Sequence, residues 1–285
     1  MIAVVGPGAV GGLLAALLHR AGEDVVAVAR PGTAERLAAD GIVVRSEHFG
    51  DLTAHVPVAT AVPEGAAVVL AVKAPGLDDV LPGVVAARPT EVVALLNGTG
   101  HAAALHATGL RASCAAIQVE SAREDGVIVH RGGYCVVTVP DDAAGWQVPA
   151  ALARAGVTVR QGGSETEVLW RKYGFLAPTA LLTSWTDLPV GAALEREPAT
   201  ADALAREVAA VATADGAPTD AAQVAAALRR LPATLRSSLQ LDLLRGGPNE
   251  LEAIGGNLVE LGRRHGVPTP AAERVVEDLR RRAGP

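Results

Sequence analysis

Gly6-Pro7-Gly8-Ala9-Val10-Gly11 follows the short apolar run Ile2–Val5 and opens a helix-like stretch, Ala9–Ala21. In that setting each glycine has a physical task. Gly6 permits a tight turn, Gly8 lets the backbone approach a pyrophosphate, and Gly11 lets helix and strand pack closely. Unpaired N–H groups at the helix start would face the phosphates. The plainer alternative is a glycine-rich turn with no ligand. The end of the next β-like run, Asp24–Ala29, selects the cofactor. An NAD site would want a carboxylate there to accept from the ribose hydroxyls. This chain has Arg30, with Arg36 further on, while Glu23 and Asp24 lie at the other end of the run. A guanidinium suits a 2′-phosphate through charge-assisted bonds. The motif and Arg30 therefore predict NADP(H), against the alternative of a solvated surface arginine.

Reducing a ketone with hydride requires a proton donor for the developing alkoxide, and groups that hold the substrate. Lys172 lies in Trp170-Arg171-Lys172-Tyr173-Gly174-Phe175, which holds three of the chain's seven aromatic residues. Such surroundings would favour the neutral amine and bring its proton affinity into a useful range. By itself, a helical lysine more often reads as a solvated face. Lys73 follows the apolar run Ala67–Val72, and Asn97-Gly98 follows Val92–Leu96. Both stand at C-terminal strand ends, where ligands bind in open α/β sheets. Further on come Ser237-Ser238, Gln240, Asp242 and Asn249-Glu250, the glutamate twelve residues after Ser238, then Gly255-Gly256-Asn257-Leu258 and His265-Gly266-Val267-Pro268-Thr269-Pro270.

This ensemble resembles the ketopantoate reductase (2-dehydropantoate 2-reductase) family along nearly the whole chain. The resemblance implies an NADP-binding Rossmann domain, a helical C-terminal domain, reduction of a 2-oxo acid, and a place in pantothenate biosynthesis. It assigns Lys172 as the general acid that protonates the carbonyl oxygen. Glu250 would hold the substrate hydroxyl and support that lysine, and Ser238 would contact the substrate carboxylate. Asn97 and Lys73 would lie near the nicotinamide ribose and the substrate. One departure is visible: the family places asparagines four and eight residues after the lysine, where this chain has Leu176 and Ala180. Losing two amide partners weakens recognition of a polar hydroxy acid by about 0.5–1.5 kcal/mol net per bond. That departure points to a less polar keto substrate as the alternative to ketopantoate. A further alternative is a catalytically silent NADP-binding sensor, against which Lys172 and Glu250 together speak, because cofactor binding alone needs neither.

The elements that must position these residues follow from patterning. The chain has 285 residues, of which 49% are apolar and few aromatic, so the core is built from Ala, Val and Leu. Short β-rich runs alternate with helical stretches in the first half, which predicts a doubly wound parallel sheet of Rossmann type. Thr33–Asp40 and Ala143–Ala155 read as helices there, and Val157–Arg160 as a strand. Two β runs within Gly126–Val139 flank Arg131-Gly132-Gly133 and suggest a hairpin turning there. After Gly162-Gly163 the β-rich runs vanish. Helices are expected over Glu165–Ala177, Ala201–Ala214 with Thr200 as N-cap, Ala221–Leu231, Leu251–His265 and Pro270–Arg282. The expected division is thus residues 1–163, binding NADP, and residues 164–285, helical, binding substrate and carrying the catalytic groups.

Net charge is −6, with no basic run longer than Arg280-Arg281-Arg282, which argues against nucleic acid. No apolar run reaches bilayer length, and Met1 opens directly onto Ile2–Val5. The reading is a cytoplasmic enzyme without a signal peptide, acting on a small keto acid as a monomer or homodimer. Cys114 and Cys135 are expected as small buried apolar residues. The seven histidines lack metal-ligand spacing and are expected at the surface or at caps. Of the 25 basic residues, all but Lys73 and Lys172 are arginine. Codon bias explains the surplus but not which two lysines remain.

Overall fold

The structure, a computed structural model, describes residues 1–283. Two compact units emerge: Met1–Leu96 with His101–Val168, and Asn97–Gly100 with the chain from Leu169 onward. The break expected after residue 163 falls in the turn that precedes a long helix, and the first residues of that helix pack with the first unit.

The first unit contains β1 (Ile2–Val5), α1 (Ala9–Arg20), β2 (Val25–Val28), α2 (Pro31–Asp40), β3 (Ile42–Ser46), β4 (Leu52–Ala54), β5 (Val58–Ala59) and β6 (Ala67–Leu70). It continues with α3 (Leu77–Ala86), β7 (Glu91–Ala94), α4 (His101–His106), β8 (Ala112–Cys114), β9 (Ala116–Glu124), β10 (Val127–Val139), α5 (Gln147–Arg154) and β11 (Thr158–Gln161). A six-stranded sheet runs in the order β5-β2-β1-β6-β7-β8, with every pairing among the described residues parallel. Its central strands β1, β2, β6 and β7 are buried at every position, which is why they read as continuous apolar runs rather than alternating ones. Strand order reverses between β1 and β6, so the loops after these two strands define the switch point of a doubly wound fold.

A second, mixed sheet, β11-β10-β3-β4 with β9 added to β10, was not anticipated from the sequence. The expected hairpin at Arg131-Gly132-Gly133 is not there. β9 and β10 turn instead through Asp125-Gly126, whose φ angles of 48° and 85° are both positive, as a two-residue type I′ turn demands. Gly132–Tyr134 form a bulge inside β10, between the pairs Arg131–Glu120 and Cys135–Val119. His130 anchors it. The Tyr134 carbonyl at 3.0 Å can only accept, so Nε2 donates to it, and Nδ1 shares a 2.8 Å hydrogen bond with Ser46 Oγ. His130 and His101 are therefore buried, not surface residues. Cys114 and Cys135 are buried free thiols.

In the second unit, α6 (Glu165–Thr186) runs through Pro178 and extends nine residues beyond the expected end at Ala177. There follow α7 (Val190–Arg196), α8 (Pro198–Ala214), α9 (Ala221–Arg230), α10 (Ser238–Arg245), a π-helical turn at Glu252–Gly256, α11 (Asn257–His265) and α12 (Pro270–Ala283). Thr200 is not an N-cap, because Pro198 starts α8 earlier and puts Thr200 inside its first turn. Among the described residues no helix is long and apolar enough to cross a membrane.

Among the described residues, a buried carboxylate caps a helix start in each unit. Glu91 accepts from Gln147 and Val148 N–H at α5, and Glu207 accepts from Ala271 and Ala272 N–H at 2.8 and 2.9 Å at α12. Glu207 is largely desolvated, and burial raises its pKa against the pull of those two N–H groups. Glu207→Leu strands both donors in the apolar core, at about 1–3 kcal/mol. The expected result is a lower urea midpoint with an unchanged slope; an unchanged midpoint would show that the cap is dispensable.

Candidate active site

The glycine loop lies between β1 and α1. Gly6 has φ +84°, and a Cβ there would meet Val72 Cγ1 at 2.6 Å. A Cβ on Gly11 would lie 2.3 Å from the Gly6 carbonyl and 3.1 Å from Ala71 Cβ, so α1 can sit against the loop after β6 only with glycine in place. Gly8 differs. It is exposed, at the N-cap of α1, and the nearest atom to a Cβ on it is 4.0 Å away. Space beside Gly8 and free N–H groups at the start of α1 fit a pyrophosphate. Pro7 is buried, while Ala9 and Val10 are part-exposed. Arg30 is exposed at the end of β2 and is the N-cap residue of α2. Lys73 is exposed just after β6, where it opens the single turn Ala74–Gly76.

Two residues near this loop were not singled out by sequence motifs. Gly12 leaves room for Ile128, since a Cβ would meet Ile128 Cδ1 at 2.5 Å. Arg123, on β9, donates from Nη2 to the Pro7 carbonyl at 2.7 Å. No local signal marks Arg123, because its partner lies 116 positions away.

In the helical unit, Lys172 Nζ donates to Asn97 Oδ1 at 2.7 Å, and Asn97 Nδ2 donates to Glu250 Oε2 at 2.8 Å. Asn97 thus bridges the ammonium and the carboxylate with both ends of its amide. Local structure explains the arrangement. Trp170 and Tyr173 turn into the apolar core at 3% and 1% exposure, which fixes the rotation of α6 and sends Lys172 the other way. Gly98 has φ +82°, and a Cβ there would lie 2.3 Å from the Ala253 carbonyl. Asn257 Nδ2 donates to Thr99 Oγ1 at 2.8 Å, and the Tyr173 hydroxyl donates to the Ile254 carbonyl. The π turn therefore packs directly on the Asn97–Gly100 loop, and Glu250 stands just ahead of it, 7% exposed. Single π turns inside helices recur at functional sites.

Burial lowers the Lys172 pKa to about 8, and the Glu250 carboxylate opposes that fall. A lysine in that range can release a proton near neutrality yet be charged below it. Ser238 is exposed at the first position of α10. Its neighbour Ser237 is the N-cap, accepting from Gln240 N–H, and shares a 2.8 Å hydrogen bond with Thr183. Leu176 is part-exposed one turn after Lys172, whereas Ala180 has no exposed surface and belongs to the helical core. Glu165 is committed elsewhere, to His106 and the Cys114 N–H.

The helical unit thus brings Lys172, Asn97 and Glu250 together in one hydrogen-bonded chain, and the first unit assembles the glycine loop with Arg30 close by in sequence. The family model described as Ketopantoate reductase PanE/ApbA matches residues 2–142, and its C-terminal counterpart matches residues 166–283. A 2-dehydropantoate 2-reductase of Caulobacter vibrioides is 30% identical, covering 96% of each chain. The structure of a PanE/ApbA family ketopantoate reductase from Ralstonia eutropha JMP134 is similar with a TM-score of 0.88 at 27% identity, covering 99% of this chain and 98% of that one. D-mandelate dehydrogenase bound to NADH and anilino(oxo)acetate shares the fold, with a TM-score of 0.87 at 19% identity and the same coverage. The chain belongs to the ketopantoate reductase family and is an oxidoreductase.

Proposed function

We propose that the protein uses NADPH to reduce the carbonyl of a 2-oxo acid, ketopantoate to pantoate by family membership, with Lys172 as the general acid. The observation that carries this reading is the Lys172–Asn97–Glu250 chain, in which burial leaves the lysine with a pKa of about 8. When bound, the cofactor supplies the hydride that reaches the carbonyl carbon. Lys172 donates a proton from Nζ to the oxygen that becomes the alcohol, and its neutral amine then takes a proton from water. Asn97 Oδ1 holds one N–H of the ammonium and leaves the others free to point at substrate. Glu250 favours the charged lysine before transfer and is placed to accept from a substrate hydroxyl. Ser238 offers an exposed hydroxyl for the substrate carboxylate. Gly6, Pro7, Gly8, Ala9, Val10 and Gly11 hold the pyrophosphate, with Arg30 at the adenine ribose and Lys73 near the nicotinamide ribose.

A second reading keeps the chemistry and changes the substrate. Leu176 lies on the same face of α6 as Lys172 and presents a part-exposed apolar side chain. It favours a 2-oxo acid with a less polar side chain. Cofactor oxidation measured with ketopantoate and a panel of branched and aromatic 2-oxo acids decides between the two. Turnover of ketopantoate supports the first, and turnover confined to the apolar acids supports the second. Tight NADPH binding with no turnover of any of them would sink both in favour of a silent NADP-binding protein.

A further inference from the structure

We infer that Asn257 and Tyr173 are positioning residues that, through the π turn Glu252–Gly256, hold the Asn97 amide between Lys172 and Glu250. The inference rests on the reductase reading above and deepens it. All three groups of the hydrogen-bonded chain are tied to this one turn. Glu250 stands at its head, where its carbonyl accepts from Ile254 N–H at 2.9 Å. Lys172 is tied to it by the next residue of α6, since the Tyr173 hydroxyl donates to the Ile254 carbonyl. The Asn97 loop meets it at three successive residues. The Ala253 carbonyl is seated against Gly98, Asn257 Nδ2 donates to Thr99 Oγ1 at 2.8 Å, and a Cβ on Gly100 would lie 2.9 Å from Asn257 Oδ1.

A loop with glycine on both sides of Thr99 has little stiffness of its own, so the Asn97 side chain keeps its place only with support from outside the loop. The turn can give that support because it cannot retreat. A Cβ on Gly255 would meet Val276 Cγ2 at 2.5 Å and Leu181 Cδ2 at 2.9 Å, so the far side of the turn is pressed onto the apolar core. Its π geometry shifts the backbone bonding. Asn257 N–H bonds to the Glu252 carbonyl, five residues back, and within this departure from the regular ladder the Ile254 carbonyl takes a side-chain donor from α6. Burial holds the Tyr173 phenol above its ordinary pKa, so it stays a neutral donor through the range in which Lys172 titrates. Glu250 is the charge that acts on Lys172. The charges of the turn itself are satisfied apart, Arg280 of α12 donating to Glu252 at 2.8 Å. Loosening the turn therefore reaches the lysine through Asn97 and Glu250, both of which favour the ammonium.

The test exploits the scarcity of lysine. Because Lys73 and Lys172 are the chain's only lysines, carbon-13 at lysine Cε gives two NMR resonances, assigned with Lys172→Ala. The titration of Lys172 is then followed directly, without substrate. The wild-type midpoint is expected near pH 8. Thr99→Val, Asn257→Ala and Tyr173→Phe should each move it down by about half a pH unit or more and leave that of Lys73 in place. Each should also lower kcat by about threefold to tenfold with the NADPH dissociation constant unchanged, and the descending limb of the pH profile should follow the midpoint. Thr99→Ser, which keeps the Oγ, should restore both. The Thr99→Val/Asn257→Ala double variant should be no worse than the more severe single, because the two residues share one bond. A Lys172 midpoint that stays at the wild-type value in Thr99→Val and Tyr173→Phe would overturn the inference, even with a lower urea midpoint or a lower kcat, since a merely structural role would cause those. It would leave the reductase reading standing. Moved midpoints in a protein whose wild type turns over no keto acid would keep the positioning and remove the reductase reading.

Discussion

Lys172→Ala lowers kcat/KM for carbonyl reduction by about 10²–10⁴-fold, the range for loss of a positioned proton donor, and leaves the dissociation constant for NADPH unchanged. The split follows from placement. Lys172 Nζ is bonded to Asn97 in the helical unit, whereas the glycine loop that fits the nucleotide phosphates belongs to the other unit. The wild-type pH profile carries the same information. Lys172 has a pKa of about 8, so the ammonium predominates below that pH and the amine above it. A general acid must start protonated. Reduction is therefore expected to be level below about pH 8 and to fall above it, whereas oxidation of the hydroxy acid, which needs the amine as base, should rise through the same region. The descending limb should vanish from the residual activity of Lys172→Ala. A wild-type profile that runs flat through pH 8, or a variant with undiminished turnover, would remove Lys172 from the reaction.

Asn97→Ala has the second largest expected effect. Its amide uses both ends, taking the Lys172 ammonium on Oδ1 and giving to the Glu250 carboxylate from Nδ2. Hydrogen bonds to charged groups contribute about 1.5–3 kcal/mol each, and every 1.4 kcal/mol is about tenfold. With about one such bond's worth of stabilisation felt in the transition state, loss of the bridge is expected to lower kcat/KM by about 10–10²-fold. Asn97→Asp tests positioning separately from packing, because it keeps the shape and adds a charge. A carboxylate against Lys172 stabilises the ammonium, so the descending limb should move to higher pH. A structural role alone would leave that limb where it was. Unchanged activity in Asn97→Ala, with the limb unmoved in Asn97→Asp, would show that the bridge plays no part.

Much of the first unit was legible because its constraints are local. Gly6 and Gly11 are required by contacts with Val72, Ala71 and the loop's own carbonyl, and strand-length apolar runs record burial on both faces of a parallel sheet. The β9–β10 turn was misplaced at Arg131-Gly132-Gly133, although Asp125-Gly126 is the dipeptide that a type I′ turn favours. Gly132-Gly133 carries the same local signal, because a bulge and a turn both use glycine to reach positive φ. Thr200 failed as a cap for a similar reason, because Pro198 starts a helix as readily as threonine caps one.

The two lysines show where sequence ends and tertiary structure begins. The chain itself put a lysine in an aromatic-rich helix and an asparagine after an apolar strand, and family resemblance could link them. Only folding decided that Asn97 lies between Lys172 and Glu250, joining positions 75 and 153 residues apart. Only folding set the lysine's pKa, because desolvation and the Glu250 charge depend on what surrounds Nζ, not on what precedes it in the chain. The same holds for Arg123, whose guanidinium meets the glycine loop across two sheets. Backbone requirements repeat in every glycine loop of this kind and can be read from a few adjacent residues. Proton affinity and charge balance are sums over neighbours in space, and those neighbours exist only once the fold is made.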